Sequence, residues 1–272
     1  MDFAGGIVVH ATAGTAALIT ALTLGKRRGF PKSITPPHSP ILTMIGAAML
    51  WVGWFGFNAG SALGANGGAG MAMLVTHISA SMAALVWMFI EWKRFGKPSL
   101  IGVVTGMVAG LATVTPASGY IGIPGGLILG FSGGLLCYLA VDYIRGKLLI
   151  DDSLDVFAVH GVGGILGTLL VAFLATSTFS GLGLPEGQTA MSQLIVQIKA
   201  VILTVIWTSI LTYLILKVTS LIVPLRVDEQ EEIEGLDLRS HGEKGYHSDC
   251  LLYTSDAADE GLGVDLGGRR II

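Results

Sequence analysis

Two histidines lie inside apolar stretches of this sequence, and each stands eight residues after an aspartate: His10 follows Asp2, and His160 follows Asp152. Their surroundings repeat as well, because Val9, His10 and Gly14 recur as Val159, His160 and Gly164 at a constant offset of 150 residues. A neutral imidazole carries one hydrogen-bond donor and one acceptor, so it can relay a small polar molecule through apolar surroundings. An ionisable group in a membrane interior is costly and is seldom kept without a partner or a pathway. Two of them at equivalent positions of a repeated helix point to a lined conduction route.

A second chemical cluster runs from Trp51 to Ser61 as Trp-Val-Gly-Trp-Phe-Gly-Phe-Asn-Ala-Gly-Ser. At helical spacing Trp54, Phe57 and Ser61 share one face, two aromatic rings and a hydroxyl in a column, with Asn58 as a supporting polar group beside them. Aromatic faces attract small cations, by up to about 2 kcal/mol when desolvated. An interfacial aromatic belt accounts for tryptophan at this depth equally well. Periodicity alone leaves belt and cation site both open.

A bundle of membrane helices must position these groups. Hydrophobic residues make up 52% of the 272 residues against 13% charged, and mean hydropathy is +0.71, which excludes a soluble globular domain. Apolar runs cover 3–24, 41–63, 70–92, 99–115, 121–143, 154–176 and 192–223, most of them near the roughly 20 residues that cross a bilayer as helix. Seven spans are expected. Alternating strand patterns are absent, so the backbone must satisfy itself as helices rather than as a barrel. Lys26, Arg27, Arg28 and Lys32 follow the first span, Lys93, Arg94 and Lys97 the third, Arg145 and Lys147 the fifth and Arg226 the seventh, while 64–69, 116–120 and 177–191 contain no Lys or Arg. The positive-inside rule then places every second loop and the C-terminus in the cytoplasm, with residue 1 on the outer side of a plasma (inner) membrane.

No cationic segment precedes the first span, so a cleaved signal peptide is not expected. A chain that starts on the first turn of a membrane helix is expected to lack an N-terminal part. Gly102, Gly106 and Gly110, and likewise Gly126, Gly130 and Gly134, recur at every fourth position and predict close helix packing. Cys137 and Cys250 form neither a disulfide framework nor a metal pattern. No cofactor, catalytic residue or nucleic-acid partner is expected.

Five segments together resemble one family. Asp2-Phe-Ala-Gly-Gly-Ile-Val-Val-His10, the run Gly53 to Ser61, Thr115-Pro-Ala-Ser-Gly-Tyr-Ile-Gly122, Asp155-Val-Phe-Ala-Val-His-Gly161 and Glu234-Gly-Leu-Asp-Leu-Arg-Ser-His-Gly242 are similar, in order, to the ammonium transporter (Amt/Mep/Rh) family on its bacterial Amt side. The resemblance runs from residue 2 to about 249. It implies an all-α polytopic fold of eleven helices with an inverted repeat, of which this chain carries the last seven, and a homotrimer with one pore per subunit.

The same resemblance implies roles by position. His10 and His160 match paired histidines at mid-membrane, Trp54 a pore-lining tryptophan, Phe57 one of two stacked phenylalanines at the outer mouth, and Ser61 the hydroxyl of an outer recruitment site for the cation. Asp2 and Asp152 match aspartates that brace the two histidine helices near the outer vestibule. The partner phenylalanine and an outer-site tryptophan belong to family helices that this chain lacks. His77 has no match in the family pattern and is expected to be structural, hydrogen-bonded to a neighbouring helix. Ammonium is the implied substrate, with methylammonium as its analogue.

The transmembrane region is expected to occupy 1–224. Residues 225–249 resemble the family's cytoplasmic regulatory segment, which in relatives can receive a PII-type signalling protein. Residues 250–272 no longer resemble the family, and their Gly-rich, weakly hydrophobic composition predicts disorder or foreign sequence. Three functions fit: an ammonium transporter, an ammonium sensor on the same scaffold, or an inactive truncated fragment.

Overall fold

A computed structural model describes residues 1–33 and 37–245. The expectations for residues 250–272 lie outside them. Seven apolar helices form one unit, Met1–Val223: α1 (Thr12–Leu24), α2 (Pro40–Gly60), α3 (Gly67–Phe95), α4 (Leu100–Val114), α5 (Ile123–Gly146), α6 (Val162–Leu174) and α7 (Ala190–Ser220). No strand occurs among the described residues. Each of the seven expected spans coincides with one helix. Six are long and apolar enough to cross a membrane, with α1 and α6 counted together with the π-helical turns Gly6–Ala11 and Phe157–Gly161 that open them. The chain is a multi-pass membrane protein.

Local sequence sets the helix ends. Ser39 caps α2 by accepting from Leu42 N with Pro40 in the first turn, Asn66 caps α3, Ser99 caps α4, and Thr189 and Ser192 form a reciprocal capping box on α7. The fourth span is the short one: α4 has 15 residues, about 22 Å of helix, less than the hydrocarbon thickness. It is also the most enclosed, with every residue from Ala109 to Val114 buried.

The glycine stripes explain that enclosure. Gly106 and Gly110 of α4 lie against Ala83 and Ser79 of α3, while Gly130 and Gly134 of α5 lie against the same two residues from the other side. α3 is thus gripped between two helices at backbone distance, and Ser79 Oγ donates to Gly110 O at 2.8 Å.

The alternation of the loops is visible in their contacts. Arg27 pairs with Asp151 at 2.7 Å, Arg94 with Asp142 at 3.1 Å and Arg145 with Asp155 at 3.2 Å, so the ends of α1, α3 and α5 share one face with the start of the α6 segment. On the opposite face Phe3 N donates to Pro116 O and Leu182 N to Tyr120 O, among loops without Lys or Arg.

Among the described residues, 224–245 belong to a second unit. In it Asp228 caps the short α8 (Glu229–Glu234), and Arg226 pairs with Glu232 at 2.6 Å.

Candidate functional site

The two histidine segments are copies at the level of individual hydrogen bonds. The Asp2 carboxylate accepts from Gly6 N and Ile7 N, and the Asp152 carboxylate accepts from Val156 N and Phe157 N, the same positions 150 residues later. Gly5 has φ +111° and its mate Asp155 φ +56°, so each chain turns through the left-handed region just before its helix begins. Val9 N then donates to Gly5 O and Val159 N to Asp155 O. Each helix opens on a π turn, the wider winding that leaves side chains off the ordinary helical register.

The two segments cross antiparallel at glycines. Gly14 lies on the backbone of Gly161, and Gly164 lies on Ala11 and His10. These contacts exchange under the 150-residue offset, as a two-fold axis between the segments requires. The absence of side chains at 14 and 164 lets the helices approach until His10 Nδ1 and His160 Nδ1 are 3.1 Å apart. One of these nitrogens must donate and the other accept, so the pair holds opposite tautomers there. Two imidazoliums would both be donors and could not make this contact.

α2 supplies the wall. Trp54 stacks on His10 with ring centroids 5.3 Å apart and planes 14° from parallel, and on His160 at 6.4 Å and 17°. Phe57 stands edge-on to both His10, at 6.1 Å, and Trp54, at 5.8 Å. Around the rings is a cavity of about 380 Å³ lined by Val9, His10, Ala13, Leu50, Gly53, Trp54, Phe57, Val156 and His160. Apart from two imidazoles and one indole the lining is aliphatic or phenyl. His10 Nε2 has no hydrogen-bond partner although it is buried. The cavity wall is almost wholly apolar, with the unpartnered His10 Nε2 buried beside it.

A buried polar chain behind Trp54 escaped the sequence reading. Trp54 Nε1 donates to Thr115 Oγ1 at 2.9 Å, and Asn58 Nδ2 donates to Thr76 Oγ1 at 2.9 Å. Asn58, Thr76 and Thr115 are each 0% exposed. Asn58 therefore faces away from the cavity and braces α2 against α3 and α4. Its partners stand 18 and 57 residues along the chain, beyond any local pattern.

Three expected placements change. Asp152 is not on the side of Asp2: its neighbour Asp151 is bound to Arg27, beyond the far end of α1. An inverted repeat puts equal sequence positions on opposite faces, so only Asp2 is on the side of the aromatic column's end. Ser61 is the residue after α2, and its hydroxyl donates back to Phe57 O at 2.8 Å; it does not line the cavity with Trp54 and Phe57. His77 is exposed on α3 and stacks on Trp51 at 5.2 Å, instead of hydrogen-bonding to a neighbouring helix.

Asp155 lies before the membrane-crossing part of α6 and carries a second property. Burial pushes its carboxyl up to about 6, against the pull of Arg145 and with a further push from Asp152. Between pH 4 and 6 the folded chain then holds a proton that the unfolded chain has released, so stability falls as pH rises through that window. Asp155→Asn should flatten this slope in thermal unfolding of the detergent-solubilised protein. An unchanged slope from pH 4 to 7 would disprove the assignment.

A model of the Ammonium Transporter Family matches residues 1–246. The chain is 47% identical over 249 residues to ammonium transporter Amt1 of Archaeoglobus fulgidus, covering 90% of this chain and 62% of that protein. It is 46% identical to an ammonium transporter of Aquifex aeolicus, covering 91% of this chain and 57% of the relative. Among solved structures, one titled Sensor Amt Protein superposes with a TM-score of 0.81 at 32% identity, over 89% of this chain and 60% of that one. Saccharomyces cerevisiae Mep2 superposes at 0.74 and 34% identity, over 85% and 55%. The chain spans about three fifths of the length of these relatives. With nine tenths of its residues inside the match, it belongs to the ammonium transporter family.

Proposed function

We propose that this chain forms the histidine-bearing part of an ammonium transporter in which the cation is held at an aromatic mouth, loses a proton, and passes as ammonia between the imidazoles. The observation that carries this is the His10–His160 pair, joined at 3.1 Å inside an apolar cavity and roofed by Trp54. Carrying an unpaired cation to mid-bilayer on an isolated helix has been put at ten or more kcal/mol. Removing one proton from ammonium at neutral pH costs roughly 3–4 kcal/mol, taking its pKa as a little below that of a lysine amine. Deprotonation is the cheaper route. The neutral molecule can then donate to one imidazole nitrogen and accept from another. Potassium has no proton to lose and stays outside.

In this scheme Phe57 closes the outer end of the cavity, and Ser61 uses the lone pairs left on its hydroxyl to receive the cation beyond it. Asp2 and Asp152 hold the two helix starts. By its basic loops the face bearing Arg27 is cytoplasmic, a PII-type protein would act on the C-terminal segment, and the working assembly is a homotrimer in the plasma membrane.

The test uses the chain completed with the part of the Archaeoglobus relative outside the match, reconstituted in liposomes with ammonium and potassium currents recorded. A hydrogen bond to a charged group is worth about 1.5–3 kcal/mol, so Ser61→Ala should weaken apparent ammonium affinity by roughly ten- to a hundredfold. Phe57→Ala should lower the ammonium-to-potassium ratio. If neither change alters affinity, rate or ratio, the column is an interfacial belt and not a mouth.

A further inference from the structure

The face that Trp54 presents to the imidazoles depends on a group outside the cavity. An indole has one polar atom, and for Trp54 that atom is committed to Thr115 Oγ1 at 2.9 Å. Thr115 is itself fixed. Its hydroxyl lies 2.7 Å from Leu111 O, one turn back on α4, and donates there, leaving its lone pairs for the indole N–H. Asn58 Oδ1 stands 3.3 Å away, and the amide nitrogen of Asn58 is held in turn by Thr76, whose hydroxyl donates to Ala72 O at 2.7 Å. Two helices, α2 and α4, thus meet at one hydroxyl, and α3 joins them through Asn58. Because the N–H points to α4, the indole cannot donate into the cavity and can only show its flat face to it, within 14° of His10 and 17° of His160.

We propose that Thr115 is a positioning residue for conduction: its hydroxyl sets the rotation of Trp54 and so keeps the wall beside the histidines flat and free of hydrogen-bond donors. This rests on the transport scheme above. A donor on that wall would compete with a neutral guest for the imidazole nitrogens, of which His10 Nε2 has no protein partner. Thr115→Val has nearly the same shape but no acceptor, so it takes away the partner that fixes the Trp54 N–H and leaves the ring free to turn. Thr115→Ser keeps the oxygen.

Two measurements test this. In the 272-residue chain in detergent, the indole hydrogen-bond band in ultraviolet resonance Raman spectra, taken as a difference against Trp54→Phe, should move in Thr115→Val and stay in Thr115→Ser. In the completed chain Thr115→Val should lower maximal ammonium flux about tenfold, with half-saturation little changed and with Ser restoring flux. In a Trp54→Phe background, where no N–H is left to strand, Thr115→Val should have no further effect. Losses that add in that double variant mean Thr115 merely packs α2 on α4, and overturn the proposal. A conducting parent whose Thr115→Val variant matches it also overturns this role alone. A parent without ammonium flux overturns the transport scheme and takes this role with it.

Discussion

Replacing His10 or His160 by alanine should cut ammonium flux through the completed chain by between roughly fivefold and a hundredfold, the rate equivalent of leaving one buried imidazole without its partner. Three effects act together. The surviving Nδ1 loses the contact at 3.1 Å, so its tautomer is no longer fixed and both ring nitrogens become available in either role. Trp54 loses one of the two rings stacked on it. The cavity gains volume where the imidazole stood, enough to admit a water that could carry protons independently of the substrate. The two variants should therefore differ from each other in charge moved per ammonium, because the path has Phe57 against His10 alone. Insertion and thermal stability of both must be checked first. Unchanged uptake together with unchanged current in both variants would remove the histidines from the mechanism.

The crossing itself is the second large target. A Cβ on Gly14 would overlap the backbone of Gly161, and one on Gly164 would overlap His10 and the Gly6 carbonyl. Backbone cannot turn aside as a side chain can, so Gly14→Ala should destabilise by about 3 kcal/mol and push the imidazoles out of hydrogen-bond range. Gly161→Ala is the contrasting case. Its Cβ would meet mainly the Phe157 ring, and its mate in the other segment is already an alanine, Ala11. It should cost below about 1.5 kcal/mol and leave flux near the parent value. Thermal midpoints and flux of the two variants decide the matter. Equal losses at 14 and 161 would mean that the two helices do not touch at Gly14.

Much of this architecture was legible because membrane helices leave long apolar runs and basic loops, and the seven spans lie where those runs put them. The histidine pair was legible for a different reason: a duplicated segment leaves the same residues at a fixed offset, whatever the fold does with them. Trp54 and Phe57 could be grouped because they are one turn apart on a single helix. Thr115 and Thr76 could not, since the hydrogen bonds to Trp54 and Asn58 join helices distant in sequence, and a threonine in an apolar helix usually bonds only its own backbone. Asp152 was set on the wrong face because sequence similarity between repeats says nothing about their relative direction; the Arg27–Asp151 pair supplies it. The exposed position of His77 was hidden for the same reason, because its neighbour Trp51 belongs to another helix.

The paired aspartates have a consequence for charge. Each histidine helix begins within a few residues of its imidazole, so the partial positive charge of a helix start would otherwise face the route from both ends. An anion would be drawn to two such starts and a cation turned away. Asp2 and Asp152 place a full negative charge on those amides and reverse the sign of the local field. With neutral residues at both positions, the positive ends of two helix starts would stand uncompensated on either side of the imidazole pair.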